Sequence, residues 1–285
     1  MYLSVLGASL FFDVVGSQLA IDGERMRERP TLLVLHGGPG FDHVTMRPYF
    51  DRFADTHQVV YLDHRGNGRS RGGSGSDPET WRLAQWGDDV RAFCDHLGIS
   101  KPVVFGQSFG GMVAMAYASR HPGHASKVVL SSTAARLRLD VTYAMLERFG
   151  GREARALAER FWTDPTEANA GPYLTTCLPL YNPKPAPELA QAAKRSIMRL
   201  DVTYEFIRGE QRSMDLRPDL AKVTSPVLVL GGELDPMTPV ACAEEIASAL
   251  PAGLAKLEVF AEAGHGVHRD APEKAESSLR RFFAS

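Results

Sequence analysis

Short runs of apolar, often β-branched residues recur along the chain: "TLLVLHG" from Thr31, "QVVYLD" from Gln58, "PVVFGQ" from Pro102, "KVVLSST" from Lys127, "PVLVLGG" from Pro226 and "KLEVFAEAG" from Lys256. Most are continuous, not alternating, which suits strands of a parallel sheet covered by helices on both faces. Between them the apolar positions change to a helical period. Trp86, Val90, Phe93 and Leu97 fall on one face of a helix that Gly98 stops. Ala275, Leu279 and Phe282 repeat the device in a last helix opened by Pro272. This alternation predicts an α/β fold, with a mostly parallel central sheet flanked by helices.

The pattern breaks at residues 134–218, which are rich in Ala, Arg, Glu and Leu and carry no strand-like run. The segment reads as helices, with "YNPKPAPELAQAA" as a proline-rich connector into a helix at Glu188. The expected division is therefore a core of residues 1–133 and 219–285 with an inserted helical cap at 134–218. Near the start, "LSVLGASLFFDVV" has no basic residue before it and is interrupted by Asp13, so it reads as a β-hairpin and not as a signal segment.

Composition narrows the class. With 285 residues, 44% hydrophobic and 23% charged, the chain can bury a large core. A net charge of -2 and scattered Lys and Arg argue against nucleic acid or an anionic membrane as partner. No apolar stretch approaches the roughly 20 residues of a membrane span. Cys94, Cys177 and Cys242 form no C-x-x-C pair, so they read as reduced thiols without a disulfide framework or zinc site. The expectation is a cytoplasmic protein whose partner is a small-molecule substrate.

Candidate chemistry centres on Gly106-Gln107-Ser108-Phe109-Gly110, where strand "VVF" turns into helix "GMVAMAYASR". A G-x-S-x-G turn in that context exposes a serine on a strained corner. A phosphate loop would need a Lys after its glycines, and Met112 follows Gly111 here. Alone, such a serine is more often a turn residue, so partners decide. Serine needs a base within hydrogen-bond reach and a carboxylate to orient that base. Asp235 follows strand "PVLVL", and His265, between two glycines, follows strand "KLEVF". Of the nine histidines His268 is the second candidate, and Glu233 competes with Asp235. "HGGPG", residues 36–40, offers backbone donors for an oxyanion; one donor is assigned to Gly38 and the other to Phe109.

With Ser, Asp and His in that order, the sequence resembles the α/β-hydrolases that carry a helical cap. "DHRGNGRS", Asp63 to Ser70, is similar to the superfamily's D-x-R-G-x-G-x-S loop, whose part the resemblance makes structural, with Asp63 and Arg65 in a local network. Together with "HGGPG" it resembles the proline iminopeptidases, although Gln107 and Phe109 depart from that family's G-G-S-W-G elbow. That family holds the substrate's α-amine with acidic residues; Glu205 and Glu210 are the candidates here, and a solvated helix face is their other reading. "GQSFGG" is shared with esterases and lactonases. The resemblance implies a serine hydrolase of esters or lactones, with amides open as well, that needs no cofactor or metal. A prolyl aminopeptidase, a slow-turnover ligand receptor and a perhydrolase stay open beside it. A serine at the elbow sets aside dehalogenases and epoxide hydrolases, which use a carboxylate there.

Overall fold

The computed structural model describes residues 1–184 and 186–285; Pro185, within the proline-rich connector, lies outside the described residues. Among those residues the strands are β1 (Tyr2–Val5), β2 (Ala8–Val15), β3 (Leu19–Asp22), β4 (Arg25–Glu28), β5 (Thr31–Leu35), β6 (Gln58–Leu62), β7 (Arg71–Gly73), β8 (Val103–Gln107), β9 (Lys127–Ser131), β10 (Val227–Gly232) and β11 (Ala255–Phe260). The helices are α1 (Arg47–Phe50), α2 (Leu83–His96), α3 (Phe109–Arg120), α4 (Leu139–Thr163), α5 (Glu167–Thr176), α6 (Pro187–Ala193), α7 (Leu200–Arg208), α8 (Arg217–Leu220), α9 (Val240–Ala249), α10 (Val267–Asp270) and α11 (Pro272–Ala284).

The main sheet runs β1-β2-β6-β5-β8-β9-β10-β11, with β7 beside β2. Strands from β6 to β11 pair in parallel, and β1 and β2 form the antiparallel hairpin read from the N-terminal sequence. The six apolar runs became β5, β6, β8, β9, β10 and β11; in the first five alternate side chains enter two separate cores, whereas β11, at the edge, is only partly covered. Leu33, Leu35, Val104 and Val128 pack toward α2 and α3 with Trp86, Val90 and Val113. Leu32, Val34, Phe105 and Val129 pack on the opposite face with Phe50, Phe53, Leu279 and Phe282. A strand buried on both sides has no polar face to show.

Helix α3, buried along its length from Phe109 to Ser119, runs through the centre, as an all-round apolar helix must. Leu97 departs from the sequence reading: α2 ends at His96, so Leu97 is the capping residue and stays 37% exposed. Hairpin β3–β4, exposed along most of its length, carried no period to find it.

Between β9 and β10 the chain leaves the sheet through α4 to α8. The two ends of this excursion meet, with Leu216 N–H donating to Ala135 O at 2.8 Å. The helices hold a small core of their own around Leu146, Phe161, Tyr173 and Ile207. Helix α7 also packs against the main core through Val202 and Phe206. Among the described residues no helix is long and apolar enough to cross a membrane.

Candidate active site

Ser108 stands between β8 and α3 with φ 54° and ψ -119°, a conformation costly for any residue with a Cβ. The surroundings enforce it. Its N–H donates to Ser131 O at 3.0 Å, and Thr133 Oγ1 donates to the Ser108 carbonyl at 2.7 Å. Gly106 and Gly110 allow the close approach: a methyl group at Gly106 would strike the Gly110 carbonyl, and one at Gly110 the Leu35 carbonyl. The glycines bring strand and helix together under a strained serine.

The parallel strands deliver the partners to the same edge. His265, in the loop after β11, lies with Nε2 2.9 Å from Ser108 Oγ. Its Nδ1 is 3.0 Å from Asp235 Oδ2 and 3.1 Å from Oδ1, in the loop after β10. A carboxylate can only accept, so Nδ1 carries the proton and Nε2 is left to accept from the serine. Asp235 is fully buried. Met237 N–H and Thr238 N–H donate to its Oδ1, and Thr238 Oγ1 donates to Oδ2 at 2.7 Å. Burial pushes its pKa up, but the charge and hydrogen bond of His265, with those of Thr238, outweigh it and hold the carboxyl below its usual range. Glu233, the competing acid, points outward. His268, the competing base, sits behind the site among Tyr49, Phe50 and Phe105, and burial pushes its pKa down to about 3.

Gly38 lines the cavity at Ser108. Phe109 opens α3, so its N–H belongs to the unpaired first turn of a helix. Neither amide finds an acceptor among the described residues. The Phe109 ring is fixed edge-on to Trp86 at 4.8 Å and to Phe206 at 5.4 Å. Beneath the Gly38 loop, His36 Nδ1 donates to Gly37 O at 2.7 Å while its Nε2 accepts from His64 N–H. Asn67 Oδ1 accepts from Gly40 N–H at 2.5 Å. The "DHRGNGRS" segment supports that loop. Asp63 accepts from His43 Nδ1 at 2.7 Å and from Arg69 N–H at 2.9 Å, and Arg65 pairs doubly with Asp89.

A cavity of about 240 Å³ opens above Ser108, walled by Phe41, Phe161, Trp162, Leu174, Leu178 and Ile207. Glu205 and Glu210 do not line it, contrary to their candidacy as amine holders. Glu210 accepts from Leu83 N–H at 2.7 Å and so caps the first turn of α2, where burial raises its pKa. Glu205 is half-buried elsewhere on α7. The carboxylate that the cavity does touch is Asp42, itself buried and paired with Arg69 at 2.6 Å, Ser196 Oγ at 2.6 Å and Ile197 N–H at 2.8 Å.

The sequence reading missed Thr238, Thr203 and Gln211. Thr238 was findable, since an aspartate followed by hydroxyl and N–H donors two and three residues on forms a local turn. Thr203 and Gln211 reach the cavity from the helical insertion, where no motif marks them. Among the described residues no group of three or more His, Cys, Asp or Glu side chains is placed to hold a metal ion.

Residues 30–272 match the family model described as the alpha/beta hydrolase fold. The protein titled "Putative carbamate hydrolase RutD" from Caulobacter sp. is 27% identical over 88% of this chain and 94% of its own. A proline iminopeptidase from Clostridium botulinum is 30% identical over 77% of this chain and 79% of its own. Among solved structures, a proline iminopeptidase-related protein from Thermus thermophilus superposes with a TM-score of 0.75 at 27% identity, covering 100% of this chain and 96% of that one.

Proposed function

The chain belongs to the α/β-hydrolase family, in its proline iminopeptidase and esterase branch, and is a hydrolase of that fold; on that premise we propose a serine hydrolase that cleaves an ester or lactone of a small to medium organic substrate. Ser108 is the nucleophile, His265 the general base and then acid, and Asp235 the group that fixes the imidazole tautomer. Ser108 Oγ bonds to the carbonyl carbon as its proton passes to His265 Nε2. The carbonyl π pair moves to oxygen, where the N–H groups of Gly38 and Phe109 hold it. Collapse breaks the bond to the leaving alkoxide, which takes the proton from Nε2. Water then attacks the acyl-enzyme, giving one proton to Nε2, and the second collapse returns that proton to Oγ.

The observation carrying an ester or lactone over an N-terminal proline peptide is the cavity's charge. A free α-ammonium needs a carboxylate, and among the described residues Asp42, spent on Arg69, Ser196 Oγ and Ile197 N–H, is the carboxylate that lines it. The remaining wall is largely apolar, suited to a neutral acyl group. Helices α4 to α7 act as a cap that sets substrate choice.

The test is turnover of p-nitrophenyl butyrate beside proline p-nitroanilide, by the parent and by Ser108→Ala. The expected result is ester cleavage that falls by about 10⁴-fold or more in the variant, with the anilide untouched. Faster anilide cleavage would make the enzyme an aminopeptidase. Full activity in Ser108→Ala would remove Ser108 from the nucleophile's role.

A further inference from the structure

We propose that Gln211 is a specificity-determining residue and that the preferred substrate carries a neutral hydrogen-bond donor, a hydroxyl or an N–H, close to the scissile carbonyl; this rests on the serine hydrolase reading above. Gln211 belongs to a single helical turn, Glu210–Arg212, after α7. Its two neighbours are pinned outward. Glu210 is committed to Leu83 N–H, and Arg212 Nη2 donates to Thr163 O at 2.7 Å. The side chain between them is driven inward and is 5% exposed.

Its position there is specific. A second, smaller cavity of about 90 Å³ lies beside the first, reaching Met112, Leu139 and Met237. Both cavities are lined by Gly38, Ser108 and His265 as well as by Gln211, so its side chain borders both of the spaces that reach the nucleophile. Most other polar side chains in these walls already have a hydrogen bond. Tyr173 and Tyr181 bond each other through their hydroxyls, Trp162 Nε1 donates to Tyr173 Oη, and Thr203 Oγ1 donates to Pro39 O. Asn182 Nδ2 donates to Asp270, and Gln107 Nε2 to His265 O. Gln211 Oε1, by contrast, is buried without a hydrogen-bond partner among the described residues. A buried amide oxygen left unmet is destabilising, and a substrate donor that reaches it gains what an alkyl group of equal size cannot. Because the amide is neutral, it favours a hydroxyl or amide N–H over an ammonium ion. The ligand described is thus an apolar acyl or alcohol body with one donor near the ester.

The experiment compares kcat/KM for p-nitrophenyl butyrate, 3-hydroxybutyrate and N-acetylglycinate, each divided by that ester's rate with hydroxide to remove intrinsic reactivity. The parent is expected to favour one of the two donor-bearing esters by about tenfold or more, and which one it favours separates hydroxyl from N–H. In Gln211→Leu the preference should fall to within about twofold. Gln211→Glu, which keeps an acceptor and has no donor, should restore it. A parent without preference overturns the proposal, as does a Leu variant that keeps one or a Glu variant that fails to restore it. Each of those outcomes leaves the hydrolase reading standing. If no ester is turned over, or Ser108→Ala turns them over equally well, the serine hydrolase reading itself falls and takes this inference with it.

Discussion

The sheet and the helical insertion both face Ser108, yet they hold their residues by different means. On the sheet side, Ser108, Asp235 and His265 each follow a parallel strand, and the hydrogen-bond register of β8, β10 and β11 fixes where those loops begin. On the insertion side separate polar pins meet the core, three of them at the loops around Ser108. Thr203 Oγ1 donates to Pro39 O at 2.7 Å, Arg199 N–H to Gly40 O at 2.6 Å, and His265 N–H to Tyr181 O at 2.6 Å. Apolar packing adds Val202, Met214 and Phe206, the last set against Trp86 and Phe109. The residues proposed to react sit on elements that many cooperative contacts hold. The cavity roof depends on pins that can change one at a time, which lets pocket chemistry vary on a constant framework.

The largest stability effect should come from breaking the sheet side at Arg65. Its guanidinium is 1% exposed and pairs with Asp89 at 2.7 Å and 2.6 Å while also reaching Ser74 Oγ and Leu6 O. Burial already raises the pKa of Asp89 despite that partner. Arg65→Ala would leave the carboxylate in the core without a charge partner, a loss of about 3–5 kcal/mol in a urea melt. Arg155, half-exposed on α4 between Glu147 and Glu159, makes two ion pairs to Arg65's one. Arg155→Ala should leave the same melt unchanged, because solvent already screens those charges. Equal losses would mean that the two regions are not held differently.

Acid separates the regions next. No histidine falls between 134 and 218, whereas burial lowers the pKa of His36, His57, His64 and His268 in the core. For His268, pushed down to about 3 by burial and then by the charges of Arg269, His265 and Arg52, the sign follows from linkage. Between pH 6.5 and 3 the unfolded chain takes up a proton that the folded one refuses, so stability falls as the pH drops through that window. His268→Phe keeps an aromatic ring between Tyr49 and Phe50 and removes the group. Its stability loss from pH 8 to pH 5 should be smaller than the parent's by about 2 kcal/mol, measured by paired melts. Parallel curves for the two proteins would show that His268 does not contribute.

The same division explains what the sequence disclosed. Strands β5, β6, β8, β9 and β10 were legible because burial on both faces writes itself as an apolar run, and the edge strand β11 by its β-branched and apolar positions before the glycine loop. The loops that carry Ser108, Asp235 and His265 were legible because chain order and strand ends put them on one edge. Leu97 misled because its spacing continued a helical face one residue past the turn where α2 stops. In the insertion, periodicity announces helices but not which side meets a cavity. Glu210 and Gln211 are adjacent in sequence, yet one caps α2 and the other lines the pocket. That choice is made by Leu83 and Thr163, far away in the chain, and no local pattern reports it.

The smallest change expected is the most pointed test of the pins. Thr203 lies on α7, and its Oγ1 holds the Pro39 carbonyl inside the loop that presents Gly38. Next to it, Gly40 is so close to Thr203 and Arg199 that a Cβ there would strike both. Thr203→Val keeps the shape and deletes the bond, leaving Arg199 N–H on Gly40 O to tie the start of α7 to that loop. Stability should fall by about 1 kcal/mol. If the insertion helps to aim the Gly38 amide, kcat should drop by about three- to tenfold while KM moves less, because a misplaced oxyanion donor costs transition-state binding more than ground-state binding. A change confined to KM would mean that Thr203 only shapes the wall, and that the sheet alone positions the groups that react.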